Sequence, residues 1–362
     1  MTDPLVPSPV PAGPAARSAR THPPRFVVVG AYVADCLVST PRLPGWGEHI
    51  QADAIRTTPG GKALNQAVTL ARGGAHVTAV GIVGGDTVGR DLVATLTAEG
   101  IDTAHLTVQP NAPTPVCVVF TRPDGQNATT WSIADNMIAS AEIVHRAKAE
   151  IAHADAVLIT FEAAAEAIRQ AVTIARDAGT RVIVNPAPSP ADLTAYRALP
   201  WQQVDMIIPN EAEARALLPE HHPARAGQAD GLAEALGSTL GVPTVCVTLA
   251  ANGCTLWDAS ASTSTGDRRA SSANAQTYSA HPTDVVDTTG GSDAFTAVLA
   301  LHLLTSADQS TAVRHAHAAA ALTISRPGTY DALPTAAELR DQRDQRDQRD
   351  HGGGGHPARP GR

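Results

Sequence analysis

The chain has 362 residues and a formal net charge of −8, and 43% of its residues are hydrophobic but only 3% are aromatic. This length suits one large α/β domain with an appendage or two ordinary domains, with a core of Ala, Val, Leu and Ile. The negative charge, without a long basic block before the C-terminal tail, argues against nucleic acid or an anionic membrane as the main partner.

The two ends of the chain differ in composition from the middle. Residues 1–24 are rich in Pro and Ala and lack the apolar stretch of a signal peptide, and no run of about 18 apolar residues occurs anywhere. Residues 335–362 contain DQRDQRDQRD followed by a glycine run. We predict that both segments are disordered and that the Ser/Thr/Ala-rich loop 260–275 is unstructured.

The cysteines indicate a reducing compartment. They are scattered and form no CxxC pair, and they are Cys36, Cys117, Cys246 and Cys254. Free buried thiols are typical of proteins kept in a reducing environment. Together with the missing signal peptide, this pattern predicts a cytoplasmic protein.

Between the two ends, short apolar runs alternate with helical patterns. The predicted strands are residues 26–30, 77–80, 156–160, 181–184, 205–208 and 244–248. The predicted helices are residues 62–72, 88–98, 163–178, about 210–218, about 230–239 and 294–304. Strands that are apolar on both faces and are separated by helices indicate an α/β fold, a doubly wound, mostly parallel sheet with helices on both faces.

Two further runs break this alternation. Residues 116–120 and 129–133 are joined through Pro123-Asp124-Gly125, which is a hairpin signal. With segments near 31–39 and 48–57, they predict a small antiparallel sheet beside the main one. Such a sheet is suited to act as a lid.

The sharpest motif is Gly290-Gly291-Ser292-Asp293 at the start of a predicted helix. Glycines there let backbone amides approach an anion, and the helix dipole favours negative charge. Asp293 as a simple N-cap is the plain alternative. A degenerate G-x-S-x-G elbow with Asp308 and His317 is a hydrolase alternative, although the last glycine is missing.

A second glycine pair precedes Lys62 in Gly60-Gly61-Lys62-Ala63-Leu64-Asn65-Gln66. It is not a Walker A loop, because the G-x-x-x-x-G-K-[ST] spacing fails. Alone, this motif does not identify a ligand.

Polar residues follow three successive predicted strands. Asn185-Pro186-Ala187-Pro188 ends one strand, Asn210 and Glu213 follow the next, and residues 248–253 (TLAANG) follow the third. Ligands of doubly wound sheets bind beyond the carboxyl ends of strands, so these segments predict one cleft. Glu213 suits a Mg²⁺ ion that keeps most of its waters, or it complements a helix dipole.

In this order, the motifs resemble those of ribokinase and its PfkB relatives. The matching features are Asp35, GGK-x-x-NQA, the lid hairpin, Glu162, NPAP, PNEAE, TLAANG, DTTGGSD, His317 and Arg326-Pro327-Gly328. The resemblance covers residues 25–334 and implies one ribokinase-like kinase domain, with lid strands from about 31–57 and 115–134. It also implies an ATP-dependent sugar kinase.

The resemblance implies a role for each matched position. Asp293 is the catalytic base, and Gly290, Gly291 and Ser292 form the anion hole. The residues implied to hold the sugar are Asp35, Gly60, Gly61, Lys62, Asn65 and Glu162, together with Asp293. The residues implied to contact ATP are Asn210, Thr248, Leu249, Ala250, Ala251, Asn252, Gly253 and His317. Glu213 would hold Mg²⁺ through water, and the residues implied to bind K⁺ are Asp287, Thr289, Thr323, Arg326, Gly328 and Ala332.

Three positions depart from the family pattern. Ser292 replaces a glycine of the anion hole, Val33 replaces an amide side chain, and Ala63 follows Lys62 where glycine is usual. D-Ribose, phosphorylated on its primary hydroxyl to ribose 5-phosphate, is the expected substrate. A nucleoside, deoxyribose or ketohexose kinase and a sugar-binding pseudokinase are the alternatives. We expect a homodimer formed through the lid.

Overall fold

The computed structural model describes residues 22–227, 229–260, 274–305 and 308–341. Most of the predicted disordered segment 1–24, most of loop 260–275 and the tail beyond residue 341 lie outside these ranges. The disorder predicted for those residues therefore stays a prediction.

The strands of the described residues are two to nine residues long. In chain order they are β1 (Arg25–Val29), β2 (Val33–Ser39), β3 (Ala54–Gly60), β4 (His76–Gly84), β5 (Asp102–Gln109), β6 (Val116–Thr121), β7 (Asn127–Ser132), β8 (Ala156–Thr160), β9 (Arg181–Asn185), β10 (Met206–Ile207), β11 (Thr244–Thr248), β12 (Cys254–Asp258) and β13 (Ala275–Tyr278).

All six predicted helices are present within the described residues, together with four others. In chain order they are α1 (Lys62–Arg72), α2 (Thr87–Ala98), α3 (Ala141–Arg146), α4 (Lys148–His153), α5 (Ala165–Ala178), α6 (Thr194–Arg197), α7 (Glu211–Leu217), α8 (Leu232–Leu240), α9 (Gly291–Thr305) and α10 (Gln309–Ile324). Gly179 ends α5 in the left-handed conformation, with φ +76°. No helix in the described part of the chain is long and apolar enough to cross a membrane.

Within the described residues, nine strands form the main sheet in the order β13-β12-β11-β10-β9-β8-β1-β4-β5. The pairs from β5 to β11 are parallel, and β12 and β13 add to one edge antiparallel. This confirms the predicted doubly wound sheet. The edge strand β5 was not predicted, because Leu106 is its one buried residue and no continuous apolar run marks it.

Helices cover both faces of this sheet and complete two cores. Alternate residues of β1 point to opposite faces, so Val28 joins one core and Val27 the other. The first core is formed with α1, α2, α9 and α10, and the second with α3, α4, α5, α7 and α8. Helix α9 lies deepest, because twelve of its fifteen residues are buried.

The second sheet has the order β3-β2-β6-β7. Strand β2 pairs antiparallel with β3 and β6 pairs antiparallel with β7, but β2 and β6 are parallel. The prediction of a purely antiparallel lid is therefore wrong for one of its three pairs. The reason is that β2 and β6 are separated by β3, α1, β4, α2 and β5, so no turn fixes their relative direction.

The first residues of the predicted disordered tail pack against the domain instead. Residues 336–341 are helical, and Leu339 is only 6% exposed in the α1/α9 core. The Thr335 hydroxyl accepts from the Glu338 amide, and the Glu338 carboxylate accepts from the Thr335 amide, which is a capping box. Glu338 also forms an ion pair with Arg326. The ordered domain therefore extends past the predicted boundary at residue 334.

Candidate active site

Two glycines shape the chain where it enters α9. Gly290 has φ +78°, and its carbonyl accepts from the amides of Asp293 (3.1 Å) and Ala294 (3.0 Å). A Cβ on Gly291 would lie 2.5 Å from the Cγ2 atom of Ile324, so glycine lets α9 approach α10 closely. Asp293 lies in the first turn of α9 and is 3% exposed.

One face of α1 surrounds the Asp293 carboxylate with donors. Asn65 Nδ2 donates to Oδ2 at 2.9 Å, Gln66 Nε2 donates to Oδ1 at 3.4 Å, and Lys62 Nζ lies 3.6 Å from Oδ1. Gln66 also donates to Asn185 Oδ1 at 3.1 Å, so it links α1, α9 and the end of β9. Sequence reasoning assigned Asn65 and Lys62 but missed Gln66, although it stands in the same GGK-x-x-NQ motif.

Lys62 keeps its positive charge within this group. Burial alone would lower the pKa of its amine, but the negative charges of Asp293, Glu213 and Glu162 outweigh burial and raise it to about 12. A cation beside Asp293 stabilises the ionised carboxylate and supplies positive charge to an approaching phosphate.

Glu162 takes up a position between β8 and the start of α1. Its carboxylate accepts from the amides of Lys62 (3.1 Å), Ala63 (3.3 Å) and Ala31 (3.1 Å) and from the Thr160 hydroxyl (3.2 Å). It therefore caps the N-terminus of α1, whose N-cap Gly61 offers no side chain. Burial raises the pKa of this carboxyl. The predicted sugar ligand thus also holds the backbone around the site.

A cavity of about 550 Å³ lies between the lid and the main domain. Its wall includes, from the predicted site, Asp35, Gly61, Lys62, Asn65, Glu162, Gly290, Ser292 and Asp293. The lid contributes mainly apolar and small polar side chains, among them Val119, Cys117 and Asn127. Most of the predicted sugar and anion-hole residues therefore meet around one cavity, whereas Gly60 and Gly291 do not line it.

Asp35 lies on the lid side of this cavity and is 5% exposed. Burial, with the nearby charges of Glu162 and Asp293, raises the pKa of its carboxyl to about 7 despite a hydrogen bond from Thr329. Gly60 makes room for it, since a Cβ there would lie 2.1 Å from the Asp35 carboxyl carbon. Cys117 pairs opposite Asp35, and burial raises the pKa of its thiol to about 12, so it stays neutral.

The predicted nucleotide residues gather at the ends of β10 and β11. Asn210 is the N-cap of α7 and forms a capping box with Glu213, with both hydrogen bonds at 2.8 Å. The Thr248 amide donates to the Pro209 carbonyl at 2.9 Å, and a 3₁₀ turn over Ala250–Asn252 follows, ending at Gly253 with φ +87°. None of these residues lines the 550 Å³ cavity, so the nucleotide role predicted for them stays a prediction.

His317 lies on α10, 8% exposed, with its ring 5.0 Å from that of Phe295. Its Nε2 atom is buried and has no hydrogen-bond partner among the described residues. Asp308 caps α10 through the amides of Ser310 and Thr311. Neither side chain is hydrogen-bonded to Ser292 in the described structure, so the hydrolase alternative gains no support.

The predicted monovalent-cation residues surround Asp287, which is 4% exposed. Its Oδ1 accepts from the Thr289 amide (3.0 Å) and hydroxyl (2.6 Å), and its Oδ2 accepts from the Gly328 amide at 3.1 Å. Thr323 and Ala332 are fully buried nearby, whereas the Arg326 side chain is directed to Glu338. No Lys, Arg or His within the described ranges pairs with Asp287.

The comparisons with known proteins agree with this geometry. The model of the pfkB family of carbohydrate kinases matches residues 24–336. Ribokinase of Haemophilus influenzae is 28% identical over 313 residues, which are 86% of this chain and 96% of that protein. Deoxyribokinase of Salmonella typhi is 26% identical over 320 residues, which are 87% and 97% of the two chains.

Solved structures of the same fold superpose on most of the chain. Arabidopsis thaliana ribokinase complexed with ribose and ATP matches with a TM-score of 0.68 and 26% identity, covering 89% of this chain and 99% of that one. A putative ribokinase II from E. coli in complex with ATP and Mg²⁺, 20% identical with a TM-score of 0.71, covers 89% and 99% of the two chains and shows the fold. The chain therefore belongs to the PfkB family and is a carbohydrate kinase with the ribokinase fold.

Proposed function

We propose that the protein transfers the γ-phosphoryl group of ATP to the primary hydroxyl of D-ribose, forming ribose 5-phosphate. The observation that carries the proposal is the Asp293 carboxylate, 3% exposed at the start of α9 and in the wall of the same cavity as Asp35. Similarity to ribokinases and a deoxyribokinase supports a pentose as the acceptor.

Asp293 is the general base of this proposal. Asn65 and Gln66 hold its two oxygens from one side, and Lys62 adds a positive charge 3.6 Å from Oδ1. A carboxylate fixed in this way takes the proton of the sugar hydroxyl as that oxygen attacks the phosphorus atom. Because phosphoryl transfer depends mainly on positioning and electrostatics, a fixed base with a neighbouring cation supplies much of what the reaction needs.

The proposed anion hole consists of the backbone amides of Gly290, Gly291 and Ser292 at the start of α9, because the Asp293 amide already donates to the Gly290 carbonyl. Backbone N–H groups at a helix N-terminus stabilise the charge that develops on the transferring phosphoryl group. Ser292 lies within α9, and the only non-glycine residue with positive φ in the described structure is Ala250. Serine therefore occupies this position without backbone strain, which favours a working kinase over a pseudokinase.

Glu213 is the residue proposed to hold Mg²⁺. It is 8% exposed, and burial raises the pKa of its carboxyl, with Asp293 adding to the effect. One of its oxygens accepts from the Asn210 amide, and the other lies outside the capping box. Among the described residues no cluster of three acidic, His or Cys side chains could hold a metal alone, which fits an ion bound through waters and phosphates. Bound there, Mg²⁺ would neutralise charge on the phosphates.

The ring around Asp287 is proposed to hold K⁺. The described partners of Asp287 are only neutral donors, and burying a charged group is costly without a counterion. A monovalent cation would supply that charge. It would also stiffen the segment that leads through Thr289 to Gly290.

Asp35 supports ribose as the acceptor. Its two oxygens suit a vicinal diol, whereas 2-deoxyribose would leave one of them poorly satisfied. Val33, which lines the cavity where the family usually has an amide, removes one polar contact. Deoxyribose, a ketohexose and a nucleoside are therefore the competing acceptors.

The lid is also the proposed dimer interface. Strand β7 is exposed along its whole length, and Ile55 of the lid, which does not line the cavity, is 68% exposed. Exposed apolar side chains of this size on a small sheet are typical of surfaces that meet another protein. The proposed compartment is the cytoplasm, where the thiols would remain reduced.

The test compares kcat/KM for D-ribose, 2-deoxyribose, D-fructose and adenosine, with ³¹P NMR locating the phosphate on the product. We expect ribose to be preferred, and a clear preference for any other acceptor would overturn that assignment. Asp293→Asn should lower kcat by about 10²–10⁴ while ATP binding persists. The matched control is Asp86→Asn, which alters the N-cap of α2 away from the cavity. If Asp293→Asn keeps more than about a third of the activity, Asp293 is not the base.

A further inference from the structure

The lid touches the anion-hole segment through one side chain of β7. Asn127 Nδ2 donates to the hydroxyl oxygens of Thr288 and Thr289, both at 3.0 Å. Asn127 also lines the cavity. The two threonines immediately precede Gly290, so this contact joins the lid wall of the cavity to the turn that begins the proposed anion hole.

The direction of these hydrogen bonds requires a donor at position 127. The Thr289 hydroxyl already donates its proton to Asp287 Oδ1 at 2.6 Å, so its oxygen is left as an acceptor. Asp287 Oδ2 in turn accepts from the Gly328 amide. A hydrogen-bonded chain therefore runs from the lid through Thr289 and Asp287 to the loop after α10.

A separate contact places the tip of the same hairpin on this segment. Gly125 is buried with φ +79°, and a Cβ there would lie 3.2 Å from Val285 Cγ1 and 3.3 Å from the Val286 carbonyl oxygen. The backbone at the tip therefore packs closely against Val285 and Val286, which lead into Asp287. Gly125 and Asn127 are two residues apart in the hairpin. Both contacts therefore hold this end of the lid against residues 285–289.

We infer that Asn127 is a positioning residue that fastens the closed lid to the turn carrying the anion hole. This inference rests on the proposed kinase function. Closure lets Asn127 donate to both threonines, which holds the Thr289 hydroxyl on Asp287 and so fixes the backbone entering Gly290. The same contact closes the cavity wall beside the transferring phosphoryl group and keeps water out.

Loss of this contact should affect transfer more than nucleotide binding. Asn127 does not contact the proposed nucleotide residues at 248–253, so the KM for ATP should change little. A lid that closes poorly would admit water as the acceptor, giving ADP and inorganic phosphate instead of the sugar phosphate. The ratio of sugar-independent ATP hydrolysis to sugar phosphorylation should therefore rise.

The experiment compares Asn127→Ala and Asn127→Asp with the control Gln126→Ala in the full chain. Asn127→Ala removes two hydrogen bonds and should lower kcat for sugar phosphorylation about tenfold. Asn127→Asp has the same shape but replaces a donor with a negative charge facing Asp287 and the phosphate, so it should be slower still. Gln126 is the exposed neighbour in the hairpin, and Gln126→Ala should stay within about twofold of the unmodified protein.

Each outcome separates this inference from the proposed function. Slower transfer with an unchanged melting temperature, an unchanged KM for ATP and a raised hydrolysis ratio supports the positioning role. Normal transfer in Asn127→Asp, or an equal loss in Gln126→Ala, overturns it while the kinase function stands. If the unmodified protein phosphorylates no sugar at all, the proposed function fails, and the lid contact is then tested by amide hydrogen exchange of β7 in the sugar-free protein. Equal exchange in Asn127→Asp and the unmodified protein would overturn it there.

Discussion

Replacing Asp35 by Asn should stabilise the sugar-free protein at alkaline pH while removing its affinity for sugar. The pKa of this buried carboxyl is raised from 3.8 to about 7. Between about pH 4 and pH 7 the folded chain keeps this proton, whereas the unfolded chain has released it. The contribution of Asp35 to stability therefore falls as the pH rises through this window. Above pH 7 the folded protein bears the full free-energy cost of burying the ionised carboxylate.

The size of this cost follows from the pKa values. At about 1.4 kcal/mol for each tenfold change in proton affinity, the rise from 3.8 to about 7 corresponds to about 4 kcal/mol. Burying the Asn side chain still costs part of this free energy. We therefore expect Asp35→Asn to raise the free energy of unfolding by about 2–4 kcal/mol at pH 8 and by about zero at pH 5.

Ribose binding should weaken by at least about 100-fold, because hydrogen bonds to a charged acceptor contribute about 1.5–3 kcal/mol each.

Urea denaturation at pH 5 and pH 8 measures the first effect, and calorimetric titration with D-ribose measures the second. Asp192→Asn is the control, because Asp192 is exposed and its pKa is lowered by hydrogen bonds from Thr194, so no gain at pH 8 is expected. The reasoning would be refuted if Asp35→Asn changed the free energy of unfolding by the same amount at pH 5 and at pH 8. A loss of stability at pH 8 would refute it as well.

Three further outcomes are expected. At constant ionic strength, KCl should activate transfer more than NaCl, and Asp287→Ala should abolish the difference; equal rates in the two salts would count against the cation site. Ser292→Ala should reduce kcat only mildly, and complete loss would revive the nucleophile-elbow alternative. A chain ending at Asp341 should melt like the full chain, whereas one ending at Pro334 should melt about 3–8 °C lower because it loses the buried Leu339; equal melting of both would show that residues 335–341 add no stability.

The inner part of the main sheet could be predicted from sequence, because its strands are apolar on both faces. Strands β1, β8 and β9 were expected within one or two residues of their observed bounds. The 335–341 segment was missed because the DQR repeat beyond it dominates the composition. Its Thr335-x-x-Glu338 capping signal was readable and was overlooked.

Site residues that belong to a short sequence motif could be predicted. Contacts between residues far apart in the sequence could not. The glycine pairs before Lys62 and Asp293 each indicate a helix start, and the structure brings these two side chains within 3.6 Å. Asn127 meets Thr288 and Thr289 across more than 160 residues of chain, and only the parallel pairing of β2 with β6 places β7 there. No short-range pattern encodes that pairing, so the lid contact could not be predicted from the sequence.

The burial of α9 has a consequence for how this protein could change during evolution or in directed-evolution experiments. Twelve of its fifteen residues are buried, so almost any substitution along the helix that carries Asp293 would disturb the core. Strand β7, by contrast, is exposed at every position although Thr129 and Trp131 line the cavity. Libraries confined to residues 128–132 of β7, which keep Asn127, should therefore yield new acceptor preferences at little cost to folding, while the phosphoryl-transfer chemistry is inherited unchanged.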